Sequence, residues 1–180
     1  MEQVREGDVD RLSALFERHH RKLFLYFYRL TGERGASDDL VQDVFFRILK
    51  YRHTYQSGHE FTGWMYRIAR NAWHDQLEKR GAEESLDDEA AHFGEAIASS
   101  AGGPVESLMK AERLELLRRA LNKLPEDRRE LLVLSRYQGL KYEEIARISG
   151  CEVNTVKVRI FRAVRDLARM YGRMAGERVS

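Results

Sequence analysis

The sequence predicts an all-α protein of two small helical domains joined by a flexible acidic linker. Three observations carry that expectation. Apolar residues recur at helical spacing nearly throughout, and no run alternates as a strand would. Only two prolines occur, Pro104 and Pro125. Charge is unevenly placed: Lys+Arg total 31 against Asp+Glu 29, a net charge of +2. Gly81 to Met109 holds no Lys or Arg but carries Glu83, Glu84, Asp87, Asp88, Glu89, Glu95 and Glu106. The flanks are therefore net basic, as suits two modules facing nucleic acid on an acidic tether. The expected bounds are residues 1–80, 81–107 and 108–180.

The elements follow in order. Asp8 is placed to cap a helix through Leu12, Leu15 and Phe16. A second runs through Leu23, Phe24, Phe27 and Leu30 and closes at Gly32. Ser37 is placed to cap a third, with Asp38 and Asp39 in its positive first turn and Leu40, Val41, Val44, Phe45 and Ile48 on its apolar face. After a loop with Gly58, a fourth helix is capped near Thr62 and runs from Trp64 to about Arg80. Residues 81–107 are rich in Ala, Gly, Ser and acid without a sustained period, which predicts a linker. A flexible chain of that length spans ~30 Å on average and ~95 Å at full extension. That reach joins DNA sites one or two helical turns apart. Leu108 to Leu121 reads as a helix. Pro125 then opens another, with acids behind it and Leu131, Leu132, Leu134 and Tyr137 along it, ending at Gly139.

The most informative stretch is Tyr142 to Arg169. It reads as a short helix, a tight turn at Ser149-Gly150-Cys151 and a longer arginine-rich helix. Ala146 allows close packing of a second helix, and Gly150 can take the left-handed conformation of a sharp turn. On a wheel of the second helix, Val153, Val156, Ile160, Val164 and Leu167 share one face. Thr155, Val158, Arg162, Arg165 and Arg169 share the opposite face, with Asn154 and Phe161 on its flank. Outward Val158 and Phe161 gain nothing from water but can meet a thymine methyl in the major groove. The pattern is that of a helix buried on one side and offered to DNA on the other.

Two further surfaces lie in the N-terminal half. The fourth helix buries Trp64, Met65, Ile68 and Ala72, and turns outward Tyr66, Arg67, Arg70 and His74 with Asn71 at the edge. Tyr55 begins a loop ahead of it that ends at Phe61. Aromatic rings interleaved with arginine and amides suit unpaired bases and their phosphates. Phe61 and Trp64 read as core, whereas Tyr55 and Asn71 fit either role. On the third helix, Gln42, Phe46 and Leu49 lie opposite the apolar stripe, with Asp43 beside them. Two large apolar groups on a polar face suggest a protein partner.

Several classes are excluded. Cys151 is alone, so no internal disulfide forms, and a small core side chain suits its place. None of the six histidines has a zinc spacing. There is no phosphate-binding Gly-Lys loop and no Ser-centred elbow. The expectation is a non-enzyme with no cofactor and no metal. No apolar run approaches the ~20 residues that span a bilayer, and no signal-peptide pattern follows Met1. A soluble, cytoplasmic chain without membrane insertion is expected.

Four blocks, DDLVQDVFFRILKYR (38–52), FTGWMYRIARNAWHDQL (61–77), LNKLPEDRRELLVLSRYQGLKYEEIA (121–146) and TVKVRIFRAVRDL (155–167), together resemble the extracytoplasmic-function group of bacterial sigma factors. They stand in that family's order, and the likeness covers nearly the whole chain. The resemblance implies a sigma domain two-like bundle and a sigma domain four-like helix-turn-helix bundle. It implies a subunit that binds core RNA polymerase, selects promoter DNA and helps open it. By similarity, Asp39, Gln42, Asp43 and Phe46 meet the polymerase clamp helices. Tyr55 and its loop, with Arg67, Arg70 and Asn71, capture the unpaired strand of the −10 element. Asn154 and Thr155 lie on the surface facing the −35 duplex. Lys157, Val158, Phe161 and Arg162 read that element, with Arg159 and Arg165 on phosphates. The acidic linker threads the polymerase cleft, standing in for a nucleic-acid backbone along a basic channel. An anti-sigma factor is implied as a further partner, because no sensory domain follows the last helix.

The chain departs from the family pattern at four places. Lys141 stands where a Ser or Thr cap is usual, Ser149 replaces a leucine, Asn154 a glycine and Val158 a serine. The last two change the DNA-facing surface, so the promoter sequence is not inherited from relatives. The alternative function is a stand-alone helix-turn-helix regulator, which needs only the C-terminal module and favours symmetric binding to duplex DNA.

Overall fold

The computed structural model describes residues 1–83 and 104–177, with side chains for 1–81 and 111–176. Most of the expected linker, residues 84–103, lies outside the described residues. Among the described residues there are eight α-helices and no strand: α1 Glu2–Arg5, α2 Leu12–Thr31, α3 Arg34–Lys50, α4 Phe61–Glu83, α5 Pro104–Asn122, α6 Glu126–Arg136, α7 Tyr142–Ser149 and α8 Val153–Glu177. Short 3₁₀ turns at Val9–Arg11 and Arg52–Thr54 lead into α2 and out of α3.

The first two expected helices are one. Nothing between Phe16 and Leu23 breaks a helix, so α2 runs unbroken and buries Leu23, Tyr26, Phe27 and Leu30 along one stripe. Asp8 does not cap it. Its carboxylate takes Arg11 Nε at 3.3 Å, and a 3₁₀ turn intervenes. Gly32, at φ 75°, ends α2 in the left-handed conformation, its N–H donating to the Tyr28 carbonyl at 3.0 Å.

α3 starts at Arg34, three residues before the expected cap. Ser37 is instead fully buried in the first turn and donates its hydroxyl to the Glu33 carbonyl. The Thr31 hydroxyl lies 3.0 Å from Ser37 Oγ and accepts the Glu33 N–H at 3.0 Å. Hydroxyls therefore tie the α2–α3 corner, a use of Ser and Thr that competes with capping. The expected apolar stripe of α3, from Leu40 to Ile48, is buried.

α4 continues three residues past Arg80, and α5 begins four before Leu108. α2, α3 and α4 form the N-terminal bundle, and α5 to α8 the C-terminal one. The two bundles pack directly. α2 lies against α5 and α6, and α4 lies against α7. The apolar core is continuous from Leu23 to Ala163 through both. Burying each large apolar side chain here contributes ~1.5–3 kcal/mol before entropy is counted. Tyr66, expected on the outer side of α4, is 1 % exposed, because the C-terminal bundle covers that side. Its ring meets Tyr26 edge-on at 5.4 Å.

Candidate nucleic-acid and partner interfaces

The turn before α8 is built from backbone. Gly150 sits at φ 65°, and the Cys151 N–H donates to the Ala146 carbonyl at 3.1 Å. α7 lacks a hydroxyl cap at Lys141. Glu144 supplies the substitute, its carboxylate accepting the Lys141 N–H at 2.7 Å. Val156, Ile160 and Ala163 anchor α8 in the core. Val153 and Leu167 pack partly buried beside them, as expected, whereas Val164, expected on the same face, is exposed and Ala163 fills that turn.

That anchoring fixes what faces out. Phe161 is 68 % exposed and Val158 48 %. Asn154, Lys157, Arg159, Arg162 and Arg165 are exposed around them, and Thr155 is half-buried. Arg159 leans toward Asp127 at 3.9 Å. Among the described residues no ion pair engages Lys157, Arg162 or Arg165. The result is a cationic helix face with an apolar centre, the arrangement that can seat in a major groove.

On α3, Asp39 and Gln42 are exposed, Phe46 is 64 % exposed and Asp43 is half-buried. Asp43 accepts from Arg47 Nε at 2.9 Å, and Arg47 also reaches Asp75 at 2.6 Å. The four expected partner-binding residues thus lie along one ridge, with Arg47 linking its base to α4.

The third surface differs from expectation. Tyr55 is 6 % exposed. Its ring packs edge-on against Trp64 at 5.4 Å, and its hydroxyl donates to the His59 carbonyl at 2.5 Å. Burial pushes that hydroxyl's pKa up. In this arrangement Tyr55 shapes the loop instead of offering a ring for stacking. Asn71 and Arg67 are exposed, but Arg67 donates to the Arg147 carbonyl of α7 at 3.4 Å. Arg70 Nε lies 3.4 Å from Glu130 Oε2, and His74 Nε2 lies 3.3 Å from the same oxygen.

Glu130, on α6, joins these side chains although no motif in the sequence marks it. It is 2 % exposed and also accepts from the Tyr26 hydroxyl at 3.0 Å. Burial, then the Glu130 charge, pushes the Tyr26 hydroxyl well above its ordinary pKa. Beside it, Tyr66 donates to Gln138 Oε1 at 2.6 Å, and Arg129 donates to the Leu30 carbonyl at 2.9 Å. Burial lowers the Arg129 guanidinium. A single signal in the sequence pointed here: Glu130 shares a helix face with Leu134, one turn on, inside an apolar stripe.

Among the described residues no cluster of His, Cys, Asp and Glu is grouped to hold a metal ion, and no helix is long and apolar enough to cross a membrane.

Comparison with known proteins agrees with the all-helical two-bundle fold. Residues 15–83 match the family described as Sigma-70 region 2, and residues 114–167 match Sigma-70, region 4. The ECF RNA polymerase sigma-E factor of Escherichia coli (strain K12) is 33% identical over 168 residues, covering 91% of this chain and 87% of the relative. The ECF RNA polymerase sigma factor EcfG of Rhodopseudomonas palustris (strain TIE-1) is 34% identical over 134 residues, covering 74% of this chain and 70% of that one. Among solved structures, the sigma factor RpoE of Bartonella quintana, in complex with the anti-sigma factor NepR, aligns with a TM-score of 0.72 at 26% identity, covering 88% of this chain and 94% of that one. CnrH, in complex with the cytosolic domain of CnrY, shares the fold at a TM-score of 0.67 and 24% identity, covering 94% and 92%. The two family matches and these relatives agree: the chain belongs to the extracytoplasmic-function sigma factors, the non-catalytic subunits that direct bacterial RNA polymerase to promoters and start transcription.

Proposed function

We propose that the chain divides promoter selection among three faces, each on its own helix. The α3 ridge of Asp39, Gln42, Asp43 and Phe46 docks on the polymerase clamp. Arg67, Arg70 and Asn71 of α4 hold the separated strand of the −10 element, and Tyr55 braces the adjoining loop. On α8, Lys157, Val158, Phe161 and Arg162 read the −35 duplex, Arg159 and Arg165 hold phosphates, and Asn154 and Thr155 line the groove. Domains 1–80 and 108–180 serve these separate tasks, and the acidic stretch 81–107 connects them through the polymerase cleft. The observation that supports this most is the bare Phe161 and Val158 pair at the centre of a cationic helix face. Water disfavours such a pair, and a methyl-bearing base edge suits it.

The protein acts in the cytoplasm, where polymerase and promoter are. A separate anti-sigma factor restrains it, as NepR binds the Bartonella quintana relative. The test is run-off transcription with core polymerase on a fragmented genomic library. Discrete start sites sharing a two-part upstream motif are expected. Starts scattered over random templates, or no association with core polymerase, would overturn the proposal. Symmetric binding to a palindrome without polymerase would favour the stand-alone regulator.

A further inference from the structure

Residues 1–7 lie on none of the three faces, yet they form a docked structure. A helix as short as α1 does not hold itself in water, so it depends on what it packs against. It rests on both 3₁₀ turns, Val9–Arg11 and Arg52–Thr54. Val4 is fully buried. Past α1 the Asp8 N–H donates to the Gln3 carbonyl at 3.0 Å, which turns the chain back. Arg5 Nη1 donates to the Tyr55 carbonyl at 3.4 Å. Val4 and Tyr55 are both buried, but neither belongs to the continuous core from Leu23 to Ala163. Of the α1 segment, Met1 alone borders that core. The docking of α1 is thus a local matter between the first turn of the chain and the Tyr55 region.

Tyr55 is the last buried residue before an exposed run, Gln56, Ser57, Gly58, His59 and Glu60. Its N–H donates to the Arg52 carbonyl at 3.2 Å, and its hydroxyl donates to the His59 carbonyl. Its ring meets Phe61 edge-on at 6.4 Å as well as Trp64. Of these ties, only the one from Arg5 acts on the peptide that leads directly into the exposed run. A planar peptide fixed there sets the direction in which Gln56 leaves. The His59 N–H then closes the loop onto the Gln56 carbonyl at 3.3 Å. The charges agree with this placement. After burial, the Glu2 carboxylate raises the pKa of the Tyr55 hydroxyl and Arg5 lowers it, so α1 flanks Tyr55 with a charge of each sign.

We propose that α1 is a brace for the strand-capturing loop: with Val4 as its anchor, Arg5 fixes the Tyr55–Gln56 peptide and so presets Gln56–Glu60 for the unpaired strand. This inference rests on the reading of that loop as part of the −10 surface. Arg5 is a positioning residue, since it acts through Tyr55. A loop ordered in advance loses less conformational freedom when bases enter it. It also meets every base in one arrangement, so a wrong base is rejected more sharply.

Arg5→Ala and Arg5→Lys in the full chain test this, each assembled with core polymerase on a promoter recovered by the run-off selection. Arg5 adds no apolar bulk to the core, so Arg5→Ala should leave the unfolding midpoint and polymerase binding unchanged. Permanganate reactivity of unpaired thymines should appear about fivefold more slowly, the equivalent of one hydrogen bond. The ratio of opening rates between the recovered −10 motif and singly substituted ones should narrow. Arg5→Lys, which can still donate to the Tyr55 carbonyl, should restore both. In the free chain, amide exchange at Gln56, Ser57 and His59 should quicken in Arg5→Ala while the α2 to α4 amides keep their protection. Opening and discrimination equal to wild type in Arg5→Ala, unaltered exchange in the loop, or a slowing that Arg5→Lys does not relieve would each overturn the brace. Failure of the loop reading shows itself separately, as normal opening by Gln56→Ala combined with His59→Ala.

Discussion

Arg162 and Phe46 make contrasting demands on a single substitution. Arg162 is exposed on the outer face of α8, and no ion pair among the described residues holds it. Arg162→Ala should weaken binding to the −35 duplex by ~1–3 kcal/mol if the guanidinium meets a base. Titration against promoters altered at single −35 positions reads that out, and a uniform loss across them would mark a phosphate contact instead. Phe46 is mostly exposed, so its removal leaves no cavity. Phe46→Ala should leave the unfolding midpoint unchanged and weaken association with core polymerase, measured by competition against wild type. Tyr55 is the opposite case. Its ring is packed and its hydroxyl bonded, so Tyr55→Ala should destabilise the N-terminal bundle by ~3 kcal/mol or more through the cavity it leaves. Tyr55→Phe should lose only ~1 kcal/mol, the net value of one hydrogen bond. Urea unfolding of the two variants separates ring from hydroxyl.

At the scale of elements, the helices were largely legible in the sequence, and the exceptions have physical causes. Periodicity located the apolar stripes of α3, α6 and α8, because burial on one side imposes that spacing whatever lies beyond. It did not join the two halves of α2, since the polar run His19 to Lys22 is neutral toward helix continuation and hides the connection. Ser37 misled because a hydroxyl beside two acids looks the same whether it caps a helix or bonds back to the preceding turn. The turn into α8 was legible through Gly150, which lies in the left-handed region. Gly150→Ala should destabilise the C-terminal bundle by ~1–2 kcal/mol through backbone strain alone, because open space surrounds the added methyl. α2 also carries a pH dependence. Burial, then the charges of Lys22 and Arg18, lower the His19 pKa below 6.5. As pH falls, the unfolded chain takes that proton before the folded one does. The contribution to stability is present above pH 6.5 and is lost as pH drops through the lowered folded value. His19→Phe should flatten this part of the stability profile, measured as the change in unfolding midpoint across mildly acidic buffers.

At the scale of the whole molecule, what the sequence hid was the face between the bundles. Tyr66 and Arg70 read as outward because, on α4 alone, they are. Only the approach of α6 and α7 turns that side inward, and no periodicity within one helix reports another's arrival. The exposed faces of α3 and α8 were legible for the converse reason, since no described residue covers them. The continuous core predicts that the described bundles unfold together. A single calorimetric transition is expected for wild type. Tyr66→Ala, which removes a buried ring and its bond to Gln138, should split the transition in two as each bundle melts alone. A single transition in that variant would mean that the apolar contacts alone couple the halves.

The uncovered phenylalanine of α8 also bears on how the protein behaves as a solute. A greasy ring standing on a positively charged rod, sheltered by none of the described residues, is an adhesive spot whenever double helix is absent. Concentrated preparations should cloud sooner than the modest net charge alone would foretell. A short inert polyanion such as heparin should clear them, by masking the rod rather than by repairing any fold.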